Sequence, residues 1–241
     1  MRVTFIGHSG FLVETATAYF LFDYFHGGIP ALDRDKPLVV FASHKHRDHY
    51  NPEIFNLFED YPWVRFVLDK DCGIKWKIRE WADRGMDLTV KLIRVRKNQK
   101  YDLVMPGDKR LQITTYRSTD AGVAYLLEWE GQRIYHAGDL GHWIWEDRSE
   151  EYNRRMAERY RSEMAKMKGL SVDVAFVPLD PRLGKAYGWG MDYFLEHTAA
   201  DMVFPMHMWE KYEYIGKYKT TSVGKRYKER IMETDRKEWE L

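Results

Sequence analysis

Short apolar runs separated by turn residues fill the first quarter of the chain, and this pattern predicts closely spaced β-strands. Residues 2–6, 11–14 and 19–23 read as strands, and residues 7–10 between the first two predict a hairpin turn. Residues 37–42 are almost wholly apolar, which is typical of a strand buried on both faces. The chain therefore begins as a sheet with at least one central strand.

The rest of the chain mixes strand and helix patterns. Further strands are predicted over residues 65–68, 88–95, 111–116, 123–128, 133–136, 172–177 and 202–204. Helices are predicted after the Asn51 N-cap and over residues 148–169, 191–200 and 225–241. Runs of strands followed by helices predict two sheets flanked by helices in one domain over residues 1–241, with a helical tail from about residue 208.

Histidines and a carboxylate cluster directly after the buried apolar run. His44 and His46 are two residues apart, so in extended backbone both rings point the same way and reach one ion. Asp48 and His49 follow in the turn, close enough to bind a second ion. Imidazole and carboxylate are ligands that Zn²⁺ and related transition metals prefer. The sequence therefore predicts a metal site here.

The stretch from His44 to His49 resembles the His-x-His-x-Asp-His signature of the metallo-β-lactamase superfamily. Residues 134–139 resemble the family's strand ending in Gly-Asp, and residues 204–207 resemble its strand-end histidine. The resemblance implies an α/β layered fold, a four-layer αββα sandwich with metals at the sheet edges. It also implies a bridging role for Asp139, a ligand role for His207, and catalytic roles for Asp48 and Asp139. Residues 6–14 further resemble the branch that contains ascorbate-6-phosphate lactonase.

Residues 113–122 lack the histidine that the family usually carries at a strand end in this region. The resemblance then leaves two unequal ligand sets. The His44 set consists of His44, His46 and Asp139, and the Asp48 set consists of Asp48, His49, Asp139 and His207. We expect the complete Asp48 set to bind metal more tightly. The candidates for the missing ligand are Asp120, Ser118, His142 and His8, and no spacing argument selects among them.

Other polar residues are candidates for contacting substrate or for orienting a ligand. Asp23 ends a predicted strand, and it is a candidate either to hold a ligand imidazole or to cap a turn. Asp180 is likewise a candidate for two roles, either an acid in the substrate pocket or a residue that forms a turn. His142 lies in an aromatic loop and is predicted to line the pocket. The full set of these candidates is His8, His142, Asp23, Asp180 and Ser118.

Composition narrows the classes of partner. The formal net charge of +1 gives no reason to expect broad attraction to nucleic acid or to an anionic membrane. A single cysteine, Cys72, rules out an internal disulfide framework and is compatible with a reducing compartment. The first residues lack the apolar run of a signal peptide, so a cytoplasmic location is predicted. Aromatic residues at 15% predict aromatic-lined concavities as well as core.

The leading hypothesis is a metal-dependent hydrolase that uses a metal-activated hydroxide on a small ester, lactone or phosphodiester. Zn²⁺ is the expected cofactor, as one or two ions, with Mn²⁺ or Fe²⁺ as alternatives. A phosphodiesterase or nuclease acting on RNA or DNA is one rival. A non-catalytic protein that binds a metal or a metabolite on the same fold is the other. The expected partner is a small-molecule substrate rather than a membrane, and a homo-oligomer is left open.

Overall fold

A computed structural model describes residues 1–233 and 237–241 and divides them into two compact units. The first unit contains residues 1–96, 104–110 and 237–241, and the second contains residues 97–103 and 111–233. The strands are β1 (Arg2–Gly7), β2 (Gly10–Glu14), β3 (Tyr19–Phe22), β4 (Leu38–Ala42), β5 (Arg65–Asp69), β6 (Leu92–Val95), β7 (Lys100–Val104), β8 (Arg110–Arg117), β9 (Val123–Trp129), β10 (Gln132–His136), β11 (Ser171–Pro178), β12 (Ala199–Met206) and β13 (Glu238–Glu240). The helices are α1 (Leu57–Asp60), α2 (Lys75–Asp83), α3 (Glu150–Met164), α4 (Trp189–His197), α5 (Glu213–Lys219) and α6 (Ser222–Arg226).

The sheet of the first unit has the strand order β13-β1-β2-β3-β4-β5-β6. Its β1, β2 and β3 pair antiparallel, whereas β3, β4, β5 and β6 pair parallel. Every residue of β4 is buried, which confirms the strand predicted from the apolar run. Because parallel strands end at the same edge of a sheet, the residues that follow β3 and β4 lie side by side.

The sheet of the second unit has the order β12-β11-β10-β9-β8-β7. Its β8, β9 and β10 pair antiparallel, whereas β10, β11 and β12 pair parallel. The carboxyl ends of β10, β11 and β12 therefore meet at one edge, and the segments carrying Asp139, Asp180 and His207 follow these three ends. Helix α3 confirms the amphipathic helix predicted over this region, and it buries Met156 and Tyr160.

Two predicted elements differ from the structure in their bounds, and two elements of the structure were not predicted. The strand predicted over residues 88–95 begins only at Leu92, because Asp87 accepts a hydrogen bond from the Thr89 backbone and caps a short 3₁₀ turn. The helix predicted over residues 191–200 ends at His197, and Ala199 already belongs to β12. Helix α2 and strand β7 were not predicted at all.

The predicted helical tail is wrong for most of its described length. Helices α5 and α6 cover only short parts of residues 208–233, and the chain ends in β13. Trp239 is 5% exposed between two exposed glutamates and pairs with Val3 of β1. An exposed–buried–exposed pattern suits a strand with one covered face. Within the described residues, no helix combines the length and the apolar character needed to cross a lipid bilayer.

Candidate metal centre

The segment that follows β4 brings the first two histidines of the motif into contact. The Nε2 atom of His44 lies 2.9 Å from the Nδ1 atom of His46. The backbone amides of His49 and Tyr50 both donate to the carbonyl of His46, which closes a turn. His44 is buried and His46 is exposed, so a ligand bound by both rings would lie at the surface of the first unit.

Asp23, which follows β3, holds this segment in place. Its carboxylate accepts hydrogen bonds from the Ser43 amide at 2.7 Å and from the Ser43 hydroxyl at 2.6 Å. It also accepts a bond from Nδ1 of His49 at 2.7 Å, and both side chains are fully buried. A hydrogen bond at Nδ1 leaves the Nε2 lone pair of a neutral imidazole as the one that can bind metal. Of the two roles predicted for Asp23, orienting a ligand imidazole is the one the geometry supports.

His8, Asp48 and His49 form a second group of potential ligands in the first unit. Their ligand atoms all lie within 4.8 Å of one another. The carboxylate of Asp48 is 3.4 Å from Nε2 of His8 and 3.8 Å from Nε2 of His49. His8 is in the β1–β2 hairpin with a φ of 53°, a left-handed conformation uncommon for a non-glycine residue. The hairpin turn thus directs His8 toward Asp48.

The second unit places Asp139 and His207 together. Nε2 of His207 lies 3.4 Å from Oδ1 of Asp139, and both side chains are buried. The backbone carbonyl of Asp139 accepts hydrogen bonds from Nε1 of Trp143 at 2.9 Å and from the hydroxyl of Thr119 at 3.2 Å. The side chains of Thr119, which precedes Asp139 in the chain, and Trp143, which follows it, therefore hold this loop in place.

Asp180 orients His207 as Asp23 orients His49. Nδ1 of His207 is 2.9 Å from Oδ2 of Asp180, which is completely buried. Arg182 binds the same carboxylate through Nε at 3.0 Å and through its terminal nitrogen at 2.6 Å. Burial raises the pKa of Asp180, but the hydrogen bonds from His207 and Arg182 outweigh it, and the net pKa is lowered. Asp180 is therefore an anion that sets the tautomer of His207, as well as the cap of a turn.

The candidates for the missing histidine lie in different surroundings. Asp120 lines a cavity of the second unit together with Asp139 and His207. The hydroxyl of Ser118 accepts from the Asp120 amide, and Ser118 lines a separate cavity. His142 is among neither set of lining residues. Within the second unit, Asp120 is the candidate that shares a cavity with the ligand carboxylate.

Sequence reasoning missed the parts played by Ser43 and Arg182. Ser43 precedes the motif, and its hydroxyl lies 3.0 Å from Nδ1 of His44 as well as donating to Asp23. Arg182 binds Asp180, the carboxylate that orients His207. The sequence did contain a signal for this contact. Arg182 is two residues after Asp180 in a predicted turn, and at that spacing the guanidinium can bind the carboxylate.

His142 packs among aromatic rings rather than in the cavity. Its ring stacks on Tyr160 with centroids 5.5 Å apart and lies 6.0 Å from the ring of Trp189. Burial, helped by the charge of Arg161, lowers the pKa of His142 from 6.5 to about 4. The folded protein therefore keeps this imidazole neutral at pH values where the unfolded chain binds a proton.

Acidification is expected to destabilise the protein through His142. Below pH 6.5 the unfolded state gains a proton that the folded state refuses, so stability falls as the pH drops toward 4. Between pH 7.5 and pH 5 this amounts to about 2 kcal/mol. The free energy of unfolding is measured in urea at both pH values, with chelator present. From pH 7.5 to pH 5 it should fall by about 2 kcal/mol less in His142→Phe than in the wild type. Equal losses in the two proteins would contradict the assignment.

Comparison with known proteins agrees with the motif. A family model described as the beta-lactamase superfamily domain matches residues 2–155. A curated relative from Desulforamulus reducens, described as a UPF0173 metal-dependent hydrolase, is 28% identical over 146 residues. The match covers 58% of this chain, which spans only 63% of the relative's length.

Solved structures show the same fold at low identity. Igni18, described as a metallo hydrolase from Ignicoccus hospitalis, is 18% identical with a TM-score of 0.61, and the match covers 100% of this chain and 98% of that one. CmlA, described as a diiron β-hydroxylase from Streptomyces venezuelae, is 14% identical with a TM-score of 0.53, over 86% of this chain and 44% of that one. The family model covers well over half of the chain and includes the histidine motif. The chain belongs to the metallo-β-lactamase superfamily and has its fold of two sheets with helices.

Proposed function

We propose that this protein is a metal-dependent hydrolase of small molecules. The observation that carries the proposal is the pair of buried carboxylates, Asp23 and Asp180, each bound to Nδ1 of a motif histidine. Metal-binding histidines almost always donate their other ring nitrogen to such a partner, which fixes the ring and raises its basicity. The same arrangement occurs in each unit, around His49 in the first and His207 in the second.

The donor set fits a transition metal. It contains imidazole nitrogens and carboxylate oxygens, with no thiolate, a combination that suits Zn²⁺, Mn²⁺ or Fe²⁺. We propose Zn²⁺ as the expected ion of the His44 set and of the Asp48 set, the two ligand sets that the family motif implies. One structural relative is described as a diiron protein, so Fe²⁺ is an alternative to Zn²⁺ in this proposal.

The chain's own residues would position water and substrate around this group. A bound metal ion lowers the pKa of its water to about 7 and polarises the oxygen of an electrophile. As the family motif implies, Asp48 would accept a hydrogen bond from the attacking water, and Asp139 would be a ligand of the metal. Burial raises the pKa of the Cys72 thiol, so the one cysteine is a poor nucleophile. The proposed reaction therefore uses water rather than a covalent enzyme intermediate.

Turnover by metal-free and reloaded protein tests the proposal. The protein is treated with chelator, reloaded with Zn²⁺, Mn²⁺, Fe²⁺ or Co²⁺, and assayed on p-nitrophenyl acetate, a γ-lactone and bis(p-nitrophenyl) phosphate. We expect chelation to abolish hydrolysis of at least one substrate and reloading to restore it. Asp48→Ala should lower the rate about 10²–10⁴-fold. Asp102→Ala, which changes an exposed carboxylate on β7, is the matched control and should be unaffected.

Two other outcomes lead to the rival functions. Turnover confined to the phosphodiester, with a salt-sensitive affinity for tRNA or single-stranded DNA, would favour a nuclease. No turnover with any metal, together with an unchanged Asp48→Ala protein, would favour a binding protein without catalysis. The lactonase-like branch, the cytoplasmic location and the oligomeric state stay predictions from the sequence.

A further inference from the structure

We propose that the aromatic cavity beside Asp139 and His207 binds a flat, uncharged group of the substrate, such as a phenyl ring. The proposal rests on the proposed function and adds a substrate class to it. The aromatic cavity is the concavity of the second unit lined by Trp143, Trp145, Tyr152 and Met156 together with Asp139 and His207. Aromatic side chains and a methionine thus share one lining with two of the proposed ligands.

The size of the aromatic cavity suits one ring. Its volume is about 90 Å³. A closed apolar cavity of about 150 Å³ accommodates benzene, so a smaller concavity with an open side admits one planar group in part and excludes bulkier ones. A small ester or amide with one aromatic substituent fits this limit.

The shape of the aromatic cavity is set before a ligand arrives. The rings of Trp143 and Trp145 are nearly parallel, with an interplanar angle of 13° and centroids 6.4 Å apart. Trp143 is only 5% exposed, and its Nε1 donates to the Asp139 carbonyl. A Cβ atom at Gly141 would lie 2.8 Å from the Trp143 ring, so the glycine permits this close packing. Trp145 is the more exposed of the two rings, and it offers its indole for stacking with a planar partner, although the Arg182 guanidinium lies 5.6 Å from its centroid.

The charge of the aromatic cavity favours an uncharged group. Among its described lining residues, Arg182 is the one cation, and its guanidinium is bound to the Asp180 carboxylate. The guanidinium also lies over the ring of Trp209 at 4.3 Å. Asp120 and Asp139 add two carboxylates to the same lining. An anionic group would therefore meet negative charge and a cation that is already paired.

Ligand binding to the chelated protein tests the aromatic cavity without catalysis. Benzamide and benzoate share a ring and differ in charge, and both are titrated against the tryptophan fluorescence of the protein. We expect benzamide to bind and benzoate to bind at least tenfold more weakly. Trp145→Ala should weaken benzamide binding about three- to tenfold. Trp63→Ala removes a tryptophan that is 47% exposed and outside the lining, and should leave the affinity unchanged.

Kinetics on the metal-loaded protein separate this proposal from the proposed function. Benzyl acetate should be preferred over cyclohexylmethyl acetate in kcat/KM, because the two leaving alcohols are similar in basicity and only one carries a flat ring. Trp145→Ala should reduce that preference by the factor seen in binding. Tyr152→Ala, at a 41% exposed position, gives a second variant that folding is not expected to limit. Hydrolysis of both esters with no aryl preference and no benzamide binding would overturn the aromatic cavity alone. Benzamide binding without hydrolysis of any ester, lactone or phosphodiester would overturn the proposed function and leave the cavity as a binding site.

Discussion

Replacing Asp23 with alanine is expected to weaken metal binding about 10–100-fold. The carboxylate takes hydrogen bonds from the Ser43 amide, the Ser43 hydroxyl and Nδ1 of His49, all in a fully buried environment. Without it, His49 loses the partner that selects its tautomer and orients its ring. Three buried donors also lose their acceptor, so we expect a stability loss of about 3 kcal/mol in the chelated protein.

Two measurements separate the effects of Asp23→Ala. Competition for Zn²⁺ with a chromophoric chelator gives the affinity, and urea unfolding of the chelated protein gives the stability. Asp35→Ala, at an exposed turn position, is the matched control. Asp23→Asn keeps one acceptor oxygen and should fall between the alanine variant and the wild type. Unchanged affinity in Asp23→Ala would contradict the role given to its carboxylate.

Asp180→Ala is expected to produce a loss of metal affinity of the same order, about 10–100-fold, through His207. The carboxylate joins Nδ1 of His207 to the guanidinium of Arg182, and it is fully buried. Arg182→Ala should have a smaller effect, because it leaves the bond between Asp180 and His207 in place. The order of the two variants therefore distinguishes a positioning carboxylate from a general loss of charge.

The Asp180 series is measured by the same Zn²⁺ competition. Asp201→Ala changes an exposed carboxylate on β12, the strand that ends just before His207, and should match the wild type. An Arg182→Ala protein weaker than Asp180→Ala would mean that the guanidinium, rather than the carboxylate, controls the site.

The local parts of the candidate site were predictable from the sequence. The spacing of His44 and His46 after a fully apolar strand requires only the period of extended backbone, and the structure has their ring nitrogens in contact. Asp23 and Asp180 were left open between two roles. Their choice of partner depends on which strands run parallel and end together, and residue spacing along the chain does not contain that information.

The errors in the fold have the same physical origin. The charged segment before the C-terminus has the composition of a solvated helix. Trp239 is nevertheless buried, and it lies on a strand that pairs with β1, opposite Val3. Strand β7 is short and mostly exposed, with Leu103 as its one buried residue, so its pairing in the sheet, rather than its own residues, defines it. At β13 and at β7, pairing with strands that are distant in the chain overrides the structure that the local sequence favours.

The proposed metal centre is tested most directly by counting the ions that each chain retains after mild chelation. We expect one tightly held Zn²⁺ per wild-type chain, kept in His46→Ala and lost in His49→Ala. The reason is that His49 belongs to the complete Asp48 set, whereas His46 belongs to the His44 set, which lacks a histidine. Two equally tight ions in the wild type, or equal losses in the two variants, would contradict the uneven centre. A wild-type protein that retains and binds no metal would contradict metal dependence itself.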